Sequence, residues 1–422
     1  MNPKPPVQLN GTSRWFSTRT ARVKSLVAAG AITIGFAGAG LAVAGPASAD
    51  PGTTYVAVGS NTTQNIIDAF AATSGGLIGS YDAVDPVNGS TLDTVNAFQN
   101  SGDASALQSF LRPNGSGDGL TALRYSNDSG VSLTPYDSGT TAEMPAKGAV
   151  TFSRSSGSPT SVAGAANLST TGQYQWIPFA YDNVAVSTGP STAITHANAF
   201  TVADLTNLYK NCATVSEGGV TYWPFQAGQT QPAGTTRIDL YVPQSGSGSR
   251  NFWLDTFTGQ HATLPNCVFD TEQQGPNVGK SLEENNGTID SDDPNAIFPY
   301  SGGQWLFQKG LAGTSGDLRD GAVLNPVVVS GTAISPLNAA GTQLNATTFP
   351  IFRELYNVFI TSQVTGANAD PTLVNLFVGP NSALCQASGI VGSFGFVSLS
   401  HTTQAPDQCG STATSLRAFA NG

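Results

Sequence analysis

Charge is scarce in this 422-residue chain. Asp, Glu, Lys and Arg make up 10% of it, with two methionines, three histidines and four cysteines. Ser, Thr, Asn and Gly must therefore do the solubilising. Basic side chains are scarcest of all: of 17, five (Lys4, Arg14, Arg19, Arg22, Lys24) fall in the first 25 residues, where no acid occurs. The remaining 12 face 27 acidic side chains, a net charge near −15 from residue 50 onward. Nucleic acid and anionic membrane are poor partners for such a surface. His196, His261 and His401 lie far apart in unlike contexts, so neither a metal site nor a Ser–His pair is read from them. No G-x-S-x-G elbow and no H-E-x-x-H occurs, so the usual hydrolase signatures are missing. The chain reads as a non-enzyme with no cofactor.

Long apolar runs are also lacking, with one exception. "LVAAGAITIGFAGAGLAVA" (26–44) follows the basic start and leads into "PASAD", with small residues at Ala47 and Ala49. This is the pattern of a secretory signal cleaved after Ala49, so residues 1–49 are expected to be removed. No cysteine follows the run that could carry a lipid tether. The mature chain is expected to be secreted, extracellular or cell-wall associated. Four cysteines in such a chain suggest two disulfides, and proximity pairs Cys212 with Cys267 and Cys385 with Cys409. The residues from 50 onward suffice for two lobes with separate cores.

Helical patterns alternate with short β-rich runs, which argues for an α/β protein. Helices are expected over "TTQNIIDAFAATSGG" (62–76), over "TVADLTNLYKN" (201–211), where Thr201 and Asp204 have capping-box spacing, and over "PIFRELYNVFITSQ" (350–363). Strands are expected in "YVAVG" (55–59), "IPFAYDNVAVS" (177–187), "RIDLYV" (237–242), "PVVVS" (326–330) and "FGFVSL" (394–399). Residues 153–172 read as an irregular polar loop. "DSDDPN" (290–295), within the acidic, Asn-rich stretch 283–295, lacks the glycine and glutamate of a calcium loop and reads as a solvated turn. Trp176, Trp223, Trp253 and Trp305 could line a sugar cleft, since rings stack on pyranose faces, but most are expected in the core.

Three stretches share one grammar: "GSNTTQNIIDAF" (59–70), "RPNGSGDGLTAL" (112–123) and "QSGSGSRNFWLDTF" (244–257). Each joins glycine, which lets a ligand approach the backbone, to Ser/Thr hydroxyls and the free N–H groups of a helix's first turn. Those amides and the helix dipole favour an anion.

The order of these loops, with "VTFSRSS" (150–156), "WIPFAYDNVAVST" (176–188), "FTVADLTNLYKN" (200–211) and "YVPQSGSGSRNFW" (241–253), resembles the phosphate-type solute-binding proteins of ABC importers. The nearest likeness is to a secreted actinobacterial branch. The resemblance implies a two-lobed, type II periplasmic-binding-protein-like fold with two crossover strands and an anion in the interlobe cleft. By that likeness 50–176 open lobe 1, 177–297 form lobe 2, and 298–422 return to lobe 1, with crossings near 176–188 and 296–309. It also implies an anion shell of Ser60, Thr62, Thr63, Ser116, Gly117, Ser155, Ser156, Ser247, Gly248 and Ser249, with Arg250 as a source of charge. Two positions depart from the family pattern: Ser156 stands where an acceptor aspartate is typical, and Pro243 where an arginine often precedes the glycine–serine run.

The expected function is a monomeric extracellular protein holding a small oxyanion, phosphate first, with an ABC permease as its implied partner. Two alternatives stay open. One is a secreted structural or adhesive protein that kept the fold without the anion; the other is a carbohydrate-binding protein.

Overall fold

A computed structural model describes residues 54–85, 94–98, 107–128, 132–345, 348–399 and 407–420. The expected leader with its expected cleavage site, and His401, lie outside the described residues. Six strands and five helices place the loops of interest. In chain order they are β1 (Tyr55–Gly59), α1 (Asn61–Thr73), α2 (Ser116–Asn127), β2 (Phe152–Ser155), β3 (Gly172–Thr188), α3 (Val202–Asn211), β4 (Thr236–Tyr241), α4 (Gly248–Thr258), β5 (Ala296–Ser301), α5 (Gly302–Gly310) and β6 (Phe352–Ile360).

β3 is the spine. Its 17 residues extend roughly 55 Å at the usual rise per strand residue. The first part, from Tyr174 to Asn183, pairs antiparallel with β6, which pairs in turn with β2, and β2 lies parallel to β1. The second part, Val184–Ser187, pairs antiparallel with β5, and β5 lies parallel to β4. One sheet thus serves two halves. The β3–β6 register shifts between Leu355 and Tyr356, opposite Pro178 and Ala180, where proline has no N–H for the ladder.

Each half has its own cores. On β1, Ala57 joins one face with Ile66, Ile67 and Phe70 of α1, while Val56 and Val58 join the other with Leu120 and Leu123 of α2. The period of two along the strand sends alternate side chains to opposite helices. In the second half Val184, Val186, Ile238, Leu240 and Ile297 pack against Leu205, Leu208 and Tyr209 of α3 and Trp253, Leu254 and Phe257 of α4. A smaller cluster around Tyr241, Phe298 and Tyr300 lines its other face. The fold is α/β, as expected. Val327, Phe349 and Ile351 pack in the second half's core, and Leu355 in the first half's.

Both expected disulfides are present: Cys212–Cys267 at the end of α3 and Cys385–Cys409 in the first half. The capping box of α3 is complete, with Thr201 accepting from the Asp204 amide and Asp204 accepting from the Thr201 amide.

Four expectations need correction. Residues 352–360 form strand β6, not a helix. Leu355 and Phe359 enter one core and Tyr356 and Val358 the other. A strand buried on both faces shows no polar alternation, so its apolar residues also matched a helical spacing. Within 153–172, β2 and a short helix, Pro159–Ala163, replace the irregular loop. Of 394–399 only Val397–Ser398 is strand. The stretch 290–295 is no solvated turn: Asp290 and Asp293 are buried, the first accepting from Ser187 and the second from Tyr241.

Candidate functional site: a carboxylate held between two helix starts

The strands deliver the three glycine–hydroxyl loops to one place. β1 runs through Ser60 into α1, Gly115 precedes α2, and β4 leads through 244–247 into α4. The second and third loops touch backbone to backbone, with the Gly117 amide donating to the Gly246 carbonyl at 2.8 Å. Gly115 has φ +127°, and a Cβ there would collide with the Gly246 carbonyl. A Cβ on Gly248 would strike the Ser116 and Ser156 hydroxyls. At these two positions only glycine allows the approach.

The hydroxyls of the three loops, and of the β2 end, are withdrawn from solvent: Ser60, Thr62, Thr63, Ser116, Ser155, Ser156, Ser247 and Ser249 are all buried. Ser116 and Ser156 form one group, the Ser156 amide donating to Ser116 Oγ at 2.9 Å with the two hydroxyls 3.3 Å apart. Thr62 and Ser249 form a second, hydroxyl to hydroxyl at 3.5 Å. Ser247, Gly248 and Ser249, consecutive in sequence, link the two. Ser60 and Thr63 carry buried hydroxyls with no hydrogen-bond partner among the described residues. Two expected members are occupied elsewhere. Ser155 donates to the Gly157 carbonyl at 2.8 Å and so closes its own turn. Arg250 is bound to Asp270 at 2.6 Å and to the Pro243 carbonyl, which ties down the flank of its own loop.

The group between α1 and α4 is a carboxylate of the chain itself. Glu284 Oε1 accepts from the amide and the hydroxyl of Thr62, both at 3.1 Å. Its Oε2 accepts from the Ser247 hydroxyl at 2.5 Å. Three neutral donors at the starts of a 13-residue and an 11-residue helix hold a buried anionic group. Around them Asn285 Nδ2 donates to Thr62 Oγ1 at 3.2 Å and Gln304 Nε2 to the Thr62 carbonyl at 2.6 Å. Thr62 belongs to the half built on α1, and Ser247 and Glu284 to the half built on β4.

Arg154 lies under the first loop and is fully buried. It donates to the carbonyls of Ala57, Gly59, Ser60 and Tyr81 and to the Ser80 hydroxyl. By gathering carbonyls on one side, it fixes the backbone course that leads into the α1 amides. Its charge is offset by Asp68 and Asp82, and burial pushes the Asp68 carboxyl up to about 7. The surroundings of Glu284 are acidic. Glu283, whose carboxylate accepts from Asn114, is pushed up to about 7 by burial. Burial, then Asp137 and Glu283, hold Asp118 well above the carboxylate range.

Sequence reasoning missed Glu284, Asn285 and Gln304. The only signal was a run of acidic and amide residues, "EENN", in a chain otherwise poor in charge.

No family model and no curated protein matches the chain. Solved structures do. An ABC-type phosphate transport receptor from Vibrio cholerae is 12% identical with a TM-score of 0.41, covering 82% of this chain and 99% of its own. PstS from Borrelia burgdorferi is 15% identical with a TM-score of 0.36, covering 82% and 98%. A high-affinity periplasmic phosphate-binding protein, PfluDING, solved with phosphate, is 12% identical with a TM-score of 0.40, covering 87% and 99%.

Proposed function

We propose that this chain is a secreted, non-catalytic solute-binding protein that holds a small oxyanion, phosphate first, between its two halves. The observation that carries the reading is the treatment of Glu284: neutral hydroxyl and amide donors from two helix starts solvate a buried carboxylate that pairs with no cation among the described residues. The chemistry suited to a carboxylate suits a tetrahedral oxyanion as well, since both need a shell of donors in place of water. The buried hydroxyls of Ser60 and Thr63, without partners among the described residues, and the neighbouring Ser116–Ser156 pair supply further donors. β3 and the segment 349–352 that leads into β6 connect the halves, and a hinge across them would open and close the cleft. In this reading the protein works as a monomer, and an ABC permease is its partner where it feeds an importer. Secretion rests on the leader; no described helix is long and apolar enough to cross a membrane.

One observation favours a second reading, in which the fold is kept without a ligand: the donors of Thr62 and Ser247 are already taken by Glu284. Calorimetric titration of the refolded, phosphate-free mature chain with phosphate, sulfate and arsenate separates the two. Saturable phosphate binding that weakens in S247A/S249A supports the first. No heat with any of the three anions leaves the second.

A further inference from the structure

We infer that Glu284 is a built-in competitor for the oxyanion site, a latch that the ligand must displace. The inference rests on the oxyanion reading and specifies how that site is regulated. The Thr62 hydroxyl has one proton and gives it to Glu284 Oε1, and the Thr62 amide gives its only proton to the same oxygen. The Ser247 hydroxyl gives its one proton to Oε2. Thr62 Oγ1 is also an acceptor, for Asn285 Nδ2, and Ser247 Oγ accepts from the Arg250 amide, so both hydroxyls are fixed in their donor direction. An incoming oxyanion that uses these protons must take them from Glu284. The two anions cannot share the shell, because the protons are too few and like charges at hydrogen-bond distance repel.

Tethering makes the carboxylate an efficient competitor, since its effective concentration at the shell is set by the chain and not by solution. The same group joins the halves, as its donors come from Thr62 on one side and Ser247 on the other. Ligand entry therefore costs the latch, and apparent affinity is reduced by the fraction of molecules in which Glu284 holds the shell. The latch also filters ligands. Weakly held anions would not displace a carboxylate with three donors, which gives selectivity without the arginine and aspartate missing at Pro243 and Ser156.

The test compares wild type, E284Q and E284A, all refolded and phosphate-free, by calorimetry with inorganic phosphate. Thr62 amide exchange is measured on the same samples by NMR. E284Q keeps the side-chain shape if E284A proves too unstable, and far-UV circular dichroism verifies the fold of each. Phosphate affinity is expected to rise about tenfold or more in the variants. The Thr62 amide should lose protection in the unliganded variants and regain it with phosphate. Unchanged or weaker phosphate affinity in the variants overturns the latch while leaving the oxyanion reading in place. No phosphate binding by any of the three proteins overturns the oxyanion reading, and the competitor role with it.

Discussion

Asp290 gives the sharpest quantitative expectation. It is 1% exposed, in the short helix Thr288–Asp292, and burial pushes its carboxyl up to about 8, with Ser187 opposing and Asp293 adding to the shift. The hydrogen bonds agree with a neutral acid. The Ser187 hydroxyl has one proton but faces two acceptors, Asp290 Oδ2 at 2.5 Å and the Phe298 carbonyl at 3.0 Å. One proton cannot serve both acceptors fully, so Ser187 gives the ionised form of Asp290 only part of a hydrogen bond against the cost of burial. In the unfolded chain the group titrates near its ordinary value, 3.8. Between these values the folded state binds more protons than the unfolded, so stability is full below about pH 4 and is lost as pH rises toward 8. From pH 5 to pH 7 this one group removes roughly 2–3 kcal/mol of unfolding free energy. The substitution D290N cannot titrate, and its amide N–H can take the place of the acid proton. Urea unfolding followed by tryptophan fluorescence at pH 5, 6 and 7 should show the pH-dependent loss in D290N smaller than in wild type by that amount. Equal pH slopes for the two proteins would refute the assignment of a neutral Asp290.

Two other perturbations test what holds the site. Loop-closure entropy gives the Cys212–Cys267 bridge, 55 residues apart, about 4 kcal/mol and the Cys385–Cys409 bridge, 24 apart, about 3 kcal/mol. The double serine variants C212S/C267S and C385S/C409S should lose stability in that order by urea unfolding, and the reverse order would contradict the loop-length argument. R154M removes the buried cation beside Asp68 and strips partners from four carbonyls, an expected loss of about 3–5 kcal/mol. It should also weaken any phosphate-dependent rise in melting temperature, because the loop before α1 loses its anchor; a loss below ~1 kcal/mol would show that the guanidinium is dispensable.

Local chemistry was legible in the sequence, and long-range chemistry was not. A strand, a glycine, a hydroxyl pair and an apolar 3.6-residue stripe define β1, its loop and α1 within 20 residues, and Thr201 with Asp204 marks the α3 start. β6 was misread because both of its faces are buried, so the polar alternation that identifies a half-exposed strand is missing. Asp290 and Asp293 read as surface residues because their partners, Ser187 and Tyr241, lie 103 and 52 residues away. Glu284 escaped for the same reason, with Thr62 separated from it by 222 residues and Ser247 by 37. Composition marks a loop as rich in hydroxyls, but not where each points. Ser155 and Ser156 are neighbours, yet one closes its own turn and the other meets Ser116.

The central claim is that an oxyanion takes the protons now held by Glu284. The measurement that tests it most directly is a crystal structure of the mature chain grown with arsenate, with data collected to locate arsenic by its anomalous scattering. The account predicts one arsenic within hydrogen-bonding reach of the Thr62 amide and the Ser247 hydroxyl, with the Glu284 carboxylate displaced from both. A structure in which Glu284 keeps both contacts and no arsenic lies beside them would contradict it.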